Sequence, residues 1–144
     1  MKKLYLLFIL LILPVFLHAQ NAAELEAVLG VPRVSCSQAA RFILASINDN
    51  AGGDAFEQAV SRGWLKNASA GDAITLGQLS FLIMKAFDLK GGMMYTILPG
   101  PRYAYKSLVS RNFIQGAADP AMNVNGERFL LILGRVLSSE GGES

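Results

Sequence analysis

The stretch that decides the fold is Ala55-Phe-Glu-Gln-Ala-Val-Ser-Arg-Gly-Trp-Leu-Lys-Asn-Ala68, which recurs 49 positions later as Ala104-Tyr-Lys-Ser-Leu-Val-Ser-Arg-Asn-Phe-Ile-Gln-Gly-Ala117. After a one-residue insertion the match continues at an offset of 50, so that Ile74 corresponds to Val124. A shorter copy that begins at Val34 precedes both. Repeats of this length are typical of stacked helical units, each too small to bury its apolar face alone.

Capping signals divide each copy into helix, loop and helix. Ser35-Cys36-Ser37-Gln38 and Thr75-Leu76-Gly77-Gln78 have the pattern of capping boxes, and Asn125 takes the same place in the last copy. Gly63 and its counterpart Asn112 are the residue types that end a helix in a left-handed conformation. The helix after Thr75 is apolar nearly all round, which places it in the centre of the core or under a partner. The sequence therefore predicts an all-α single domain of two and a half helix–loop–helix repeats.

The beginning of the chain has the pattern of a secretory signal peptide. Lys2 and Lys3 precede an apolar run that ends at Leu17, and Ala19 offers a small residue for cleavage. We expect cleavage and no membrane span afterwards; a retained anchor is the alternative, because Leu17 is bulky for its place before the cleavage point. The predicted boundaries are 1–19 for the signal peptide, 20–33 for a short helix and linker, 34–138 for the repeat domain and 139–144 for a flexible tail.

Charge and cysteine content limit the function further. The chain has 13 Lys+Arg and 11 Asp+Glu, and removal of Lys2 and Lys3 with the signal leaves 11 of each. This balance gives no electrostatic reason to expect a nucleic-acid partner. A single cysteine cannot form an internal disulfide. We interpret Cys36 as a buried small apolar residue, and a reactive thiol or an intermolecular bridge as the alternative.

Residues for catalysis and for metal binding are scarce. His18 is the one histidine and belongs to the signal, so Ser–His and Cys–His nucleophiles and histidine metal sites are excluded from the mature chain. The carboxylates stand singly, mostly at helix starts and in loops, where capping explains them. We predict that the protein is not an enzyme and has no cofactor and no metal site. A small enzyme that uses scattered carboxylates is the remaining, weaker alternative.

One segment has no counterpart in the repeat, Met93-Met-Tyr-Thr-Ile-Leu-Pro-Gly-Pro-Arg102. It is either a strap packed over the core or a binding loop whose methionine and tyrosine side chains adapt to a partner. The repeated arginines have two interpretations as well: they contact an anion, or they bond the last carbonyls of their helices. The candidate binding residues are Arg62, Arg111, Met93, Met94, Tyr95, Arg102 and Tyr103.

A family resemblance rests on the order of short motifs in two copies: Tyr103-Ala104-Tyr105, Phe113-Ile114-Gln115-Gly116 and Val124-Asn125, and before them Ala55-Phe56, Gly63-Trp64-Leu65 and Ile74-Thr75. In this order the chain resembles the S-layer homology family from about Val34 to Leu137. The resemblance implies an extracytoplasmic, non-catalytic protein that binds cell-wall polysaccharide. The arginine of the family's signature is replaced by Cys36, Leu76 or Gly126, so the fold and the compartment carry over more directly than the sugar site.

The expected function follows from export, repeats and the missing catalytic residues. We expect a non-enzymatic, exported interaction module, periplasmic or associated with the cell envelope, that scaffolds an envelope protein or a cell-wall polymer. The alternative that stays closest to the family is an anchor that binds wall glycan through Arg62 and Arg111. The oligomeric state does not follow from the sequence.

Overall fold

The computed structural model describes residues 22–49, 53–116 and 119–141. Within these ranges the chain forms seven helices and no strand, which confirms the all-α prediction. The helices are α1 (residues 22–29), α2 (Cys36–Ser46), α3 (Ala55–Ser61), α4 (Leu76–Ala86), α5 (Met93–Ile97), α6 (Pro101–Ser110) and α7 (Gly126–Gly141). The predicted signal peptide and its cleavage point lie outside the described residues.

The long helices begin where the capping signals predict. The Ser35 and Thr75 side chains each accept from the backbone N–H of a glutamine three residues on, at 3.2 Å, and that glutamine accepts from the N–H of the cap residue. Asn125 Oδ1 accepts from the Arg128 N–H at 2.8 Å at the start of α7. These bonds satisfy N–H groups that a helix leaves without an internal partner. They fix the first residue of α2, α4 and α7.

A closed ring of backbone hydrogen bonds joins the residues that precede these caps. The Val34 N–H donates to the Val124 carbonyl at 2.8 Å, the Ile74 N–H to the Val34 carbonyl at 2.9 Å, and the Val124 N–H to the Ile74 carbonyl at 3.3 Å. All three residues are fully buried. Since each donates once and accepts once, no peptide group in the ring is left unpaired in the core. We call these residues the central ring.

The first turns of the same helices are bonded to neighbouring loops. The N–H of Cys36 donates to the Asp72 carbonyl and that of Leu76 to the Met122 carbonyl, both at 2.8 Å. Gly126 completes the set by donating to Val31, also at 2.8 Å. Each long helix is therefore tied at its start to the loop that enters another long helix.

The core surrounds α4. Leu79, Leu82 and Ile83 are fully buried, as the periodicity predicts, and Phe81 and Met84 on the other sides of the helix are buried too. The helix is thus central, and it is the chain itself that covers its apolar sides. Cys36 is also fully buried, which confirms its interpretation as a small apolar residue of the core.

The shorter helices α3 and α6 end in the same way. Gly63 and Asn112 adopt the predicted left-handed conformation, with φ of 73° and 61°. The next residue in each case, Trp64 or Phe113, returns a hydrogen bond to the preceding helix, at 2.8 and 3.0 Å. This turn directs Leu65 and Ile114 into the core, where both are buried.

Two predicted boundaries differ from the structure. Helix α7 continues to Gly141, so residues 139–141 are helical where a flexible tail was predicted. The Ser138 and Ser139 hydroxyls donate to backbone carbonyls one turn earlier, at 2.8 and 2.9 Å, which lets these polar residues extend the helix. The segment interpreted as a strap or a binding loop contains α5, and α6 begins at Pro101, so that Arg102 belongs to α6.

Candidate functional site

The segment without a repeat counterpart forms a short helix between α4 and α6. Pro99 has no N–H to continue the hydrogen bonds of α5, and it disfavours a helical backbone at Leu98 before it, which has φ of −127° and ψ of 74°. Pro101 takes the first position of α6, where its fixed φ suits a helix start. The two prolines therefore separate α5 from α6 and determine which side chains α5 presents.

Tyr95 attaches α5 to the core. Its ring meets Phe81 of α4 edge to face, with the centroids 6.4 Å apart. Gly91 makes room for it, because a Cβ on Gly91 would lie 2.7 Å from the Tyr95 Cβ. Burial raises the pKa of the Tyr95 hydroxyl, and the negative charge of Asp88 raises it further. Tyr95 is therefore a neutral aromatic anchor at neutral pH.

The remaining apolar side chains of α5 face outward, as does that of Leu98, the residue that ends the helix. Met93 is 78% exposed, Ile97 63%, Leu98 57% and Met94 45%. Met93 and Ile97 are four residues apart on one side of the helix, and so are Met94 and Leu98. Single exposed apolar residues are ordinary, but four within six positions form a patch. We call Met93, Met94, Ile97 and Leu98 the α5 patch.

A shallow cavity of about 300 Å³ lies between α5 and α6. Met93, Met94 and Tyr95 line one side, and Tyr103 and Lys106 lie on the other. The Lys106 ammonium lies 5.6 Å from the centre of the Tyr103 ring, within the range of a cation–π contact. Hence the base of the α5 patch borders an aromatic ring and a positive charge.

Cations outnumber carboxylates in this part of the sequence, where Asp88 is followed by thirty residues without an acid. Residues 89–118 contain Lys90, Arg102, Lys106 and Arg111 and no Asp or Glu. The Arg111 guanidinium donates to the Lys90 carbonyl, which connects the end of α6 to the approach to α5. The Ser107 hydroxyl accepts from the Gly92 N–H at 3.3 Å and fixes the start of α5 to the middle of α6.

Arg62 is engaged elsewhere. Its guanidinium pairs with the Asp49 carboxylate and lies 4.8 Å from the centre of the Trp64 ring. The hydrogen bond with Asp49 raises the pKa of Arg62 above its already high value. The interpretation that the two arginines bond the last carbonyls of their own helices is wrong, because Arg62 bonds Asp49 and Arg111 bonds Lys90. Both arginines connect their helix end to the segment that follows the preceding long helix.

Two carboxylates border a larger cavity, of about 630 Å³, between α2 and α3. Asp54 caps α3 by accepting from the Phe56 and Glu57 N–H groups, at 2.8 and 3.2 Å. Asp49 is paired with Arg62. Both carboxylates therefore make contacts that stabilise the fold.

The structure brings together four of the seven predicted binding residues: Met93, Met94, Tyr95 and Tyr103 line one cavity. Arg102 and Arg111 lie at the two ends of the adjoining helix α6, and Arg62 lies apart at the end of α3. Sequence reasoning missed Lys106, which borders the cavity directly. The absence of acidic residues from 89 to 118 was the signal that could have revealed it.

In the part of the chain that the structure describes, no three His, Cys, Asp or Glu side chains are placed to hold a metal ion together. None of the helices in that part is long and apolar enough to cross a membrane. Comparisons of the chain with protein-family models, with curated proteins and with solved structures found no match.

Proposed function

We propose that the chain is an exported, non-enzymatic interaction module of the cell envelope, which scaffolds an envelope protein or a cell-wall polymer. The observation that carries this proposal is the α5 patch, where apolar side chains are held outward by a helix that the core anchors through Tyr95. A fold with a central core gains nothing from exposing four apolar side chains together. A contact that covers them gives a physical reason for their position.

The proposal includes an architecture of degenerate S-layer-homology-like repeats. It is supported by the matched caps, by the left-handed residues at Gly63 and Asn112, and by the central ring. The Gly126 bond to Val31 is equivalent to the bonds that Cys36 and Leu76 make. We infer that α1 supplies the first helix of the incomplete copy, so that three units surround one axis.

Capture from envelope fractions tests the proposed function. The immobilised chain should retain envelope material, and Met93→Ser with Ile97→Ser should release most of it. Leu131→Ser with Leu137→Ser is the matched control, because these α7 residues are 50% and 40% exposed but lie outside the α5 patch. Retention of neither protein nor glycan by the well-folded wild type would reject the function. If the two double variants retain equally reduced amounts of envelope material, the α5 patch is rejected as the contact.

The alternative of wall-glycan binding depends on Arg62 and Arg111. Their contacts with Asp49 and with the Lys90 carbonyl give each guanidinium a role inside the fold. Sedimentation with purified wall material decides between the alternatives. Binding that survives Arg62→Ala with Arg111→Ala excludes this site, and binding that disappears while thermal unfolding is unchanged establishes it.

The enzymatic alternative has less support. Asp49 and Asp54 border the same cavity, but each carboxylate is already bonded within the fold. A general acid–base pair needs one carboxyl to protonate and the other to stay ionised beside a substrate. Asp54 is held by the start of α3 and Asp49 by Arg62, so this cavity supports the structural role.

A further inference from the structure

We propose that the α5 patch docks on the surface of an anionic lipid bilayer. The inference rests on the proposed place in the cell envelope and goes beyond the proposed scaffolding, because it adds lipid as the component that the patch contacts. It is carried by two features of the described residues, the shape of the exposed apolar surface and the charge beside it.

The shape of the patch favours lipid over a folded partner. On α5 Tyr95 turns inward, while Met93 and Ile97 on one side and Met94 and Leu98 on the other are exposed. The result is a projecting ridge with only a shallow cavity at its base. A fluid interface can close around a narrow ridge, whereas a protein partner must offer a groove of matching shape.

The charge around the patch favours anionic headgroups. Arg102 and Lys106 lie one turn apart on α6, and Lys106 borders the same cavity as Met93. Asp88 lies close enough to raise the pKa of Tyr95, but residues 89–118 contain four cations and no Asp or Glu, so positive charge still predominates over residues 88–118. Apolar side chains that enter the acyl boundary beside cations at headgroup level are typical of interfacial binding. Tyr103, with an apolar ring and a polar tip, suits the same depth.

Vesicle sedimentation tests the proposal with the full chain. The probes are phosphatidylcholine vesicles and a roughly three-to-one mixture of phosphatidylcholine with phosphatidylglycerol. We expect binding to the anionic vesicles, with a partition coefficient about tenfold lower for Met93→Ser with Ile97→Ser. Arg102→Gln with Lys106→Gln should remove most of the preference for anionic lipid. Residues 1–21 are the same in every variant, so any binding of these residues to vesicles contributes equally to the wild type and to each variant.

Leu131→Ser with Leu137→Ser again serves as the control, and we expect it to bind like the wild type. Equal partition of the wild type and of Met93→Ser with Ile97→Ser would overturn the proposal. A loss of the same size in the α7 control would overturn it as well, because the effect would not belong to the α5 patch. Thermal unfolding followed by circular dichroism checks that each variant is folded before it is compared.

Tryptophan fluorescence tests the insertion of the α5 patch directly, without comparing variants that bind vesicles more weakly. The chain has a single tryptophan, so Trp64→Phe with Ile97→Trp leaves one indole, placed in the α5 patch. Anionic vesicles should shift its emission to the blue, and brominated acyl chains should quench it. Emission that keeps its wavelength and intensity when sedimentation shows bound protein would overturn insertion of the patch.

The outcomes separate this inference from the proposed function. Delipidated envelope proteins can replace the vesicles in the capture experiment. Capture that needs Met93 and Ile97, without any binding to anionic vesicles, overturns the lipid contact and leaves the scaffolding function in place. Failure of both the envelope fraction and the vesicles rejects the two proposals together.

Discussion

Gly126 lies directly against the backbone of Val28. A Cβ on Gly126 would come within 2.6 Å of the Val28 carbonyl carbon and closer still to its oxygen. The Gly126 N–H meanwhile donates to the Val31 carbonyl at 2.8 Å, so the start of α7 is fixed to the segment that follows α1. Because the obstructing atoms belong to the backbone, a side chain at this position can be accommodated only if α1 and α7 separate.

Gly126→Ala should therefore lower the free energy of unfolding by about 2–4 kcal/mol, since overpacking against backbone forces a shift of whole elements. Gly134→Ala is the control in the same helix, because a Cβ there meets no atom of its surroundings within 4 Å. It should raise stability by up to about 1 kcal/mol through helix propensity. Urea unfolding measures both, and equal effects of the two substitutions would contradict the packing of α1 on α7.

The central ring predicts a pattern of amide hydrogen exchange. The amides of Val34, Ile74 and Val124 should be among the most protected, with opening free energies within about 1 kcal/mol of one another. Each of these three residues donates its N–H to the carbonyl of another across the buried centre. When the backbone at one residue opens, the other two each lose a hydrogen bond. Native-state exchange followed by NMR checks this prediction. Much faster exchange at any one of the three would show that the ring does not open as a unit.

Gly91→Ala should loosen α5. The new methyl group would displace the Tyr95 ring from Phe81, at a cost of about 1–3 kcal/mol. Gly92→Ala is the neighbouring control, because nothing lies within 4 Å of a Cβ there. Limited proteolysis between α4 and α6 should become faster in the first variant and stay unchanged in the second. Identical digestion of the two would argue against Tyr95 as the anchor of α5.

Tyr95 should make stability decrease at alkaline pH. Its pKa in the folded protein is raised above the ordinary value of about 10, so the unfolded chain loses this proton at a lower pH than the folded one. The contribution of Tyr95 to the free energy of unfolding is fully present below the pKa that Tyr95 has in the unfolded chain. It is lost as the pH rises through the pKa that Tyr95 has in the folded protein. Tyr95→Phe should reduce the loss of stability above about pH 10, and Asp88→Asn should lower the pKa of Tyr95.

Unfolding measured from neutral to alkaline pH, together with tyrosinate absorbance, checks the alkaline prediction. Tyr103→Phe is the control, because Tyr103 lies on the other side of the cavity from the Tyr95 anchor. The same pH dependence in wild type and Tyr95→Phe would contradict the prediction.

Cys36 should resist thiol reagents in the native state. The side chain is fully buried, and burial, with a further effect of the Asp72 charge, raises the pKa of its thiol. Since the thiolate is the reactive form, modification by an aromatic disulfide reagent should be at least about a hundredfold slower than in urea. Native labelling at the rate of the unfolded chain would show that the thiol is accessible.

Local chemistry made much of this fold predictable. The caps at Ser35 and Thr75 depend on residues three positions apart, and the left-handed conformation of Gly63 and Asn112 depends on one residue type. The central position of α4 followed from apolar residues on all its sides. Each of these signals acts within a few residues, so that a single sequence contains it completely.

Features set by distant contacts were not predictable in the same way. Five residues are too few for a periodic signal, so nothing indicated that Met93 to Ile97 would be helical. The partners of Arg62 and Arg111 lie 13 and 21 residues earlier, and the positions of these partners depend on how α2 and α4 end. The candidate site was only partly identified for this reason: its apolar side chains are adjacent in sequence, while Lys106 reaches them through packing.

The link from Val34 to Val124 has a bearing on how the chain acquires its shape. The two ends of this bond are 90 residues apart, and the third participant lies between them. A growing chain that does not yet include residue 124 leaves the Val34 amide and the Ile74 carbonyl without their native partners. The central ring therefore closes only after residue 124 has been synthesised, and shorter fragments lack all the bonds that Val124 makes.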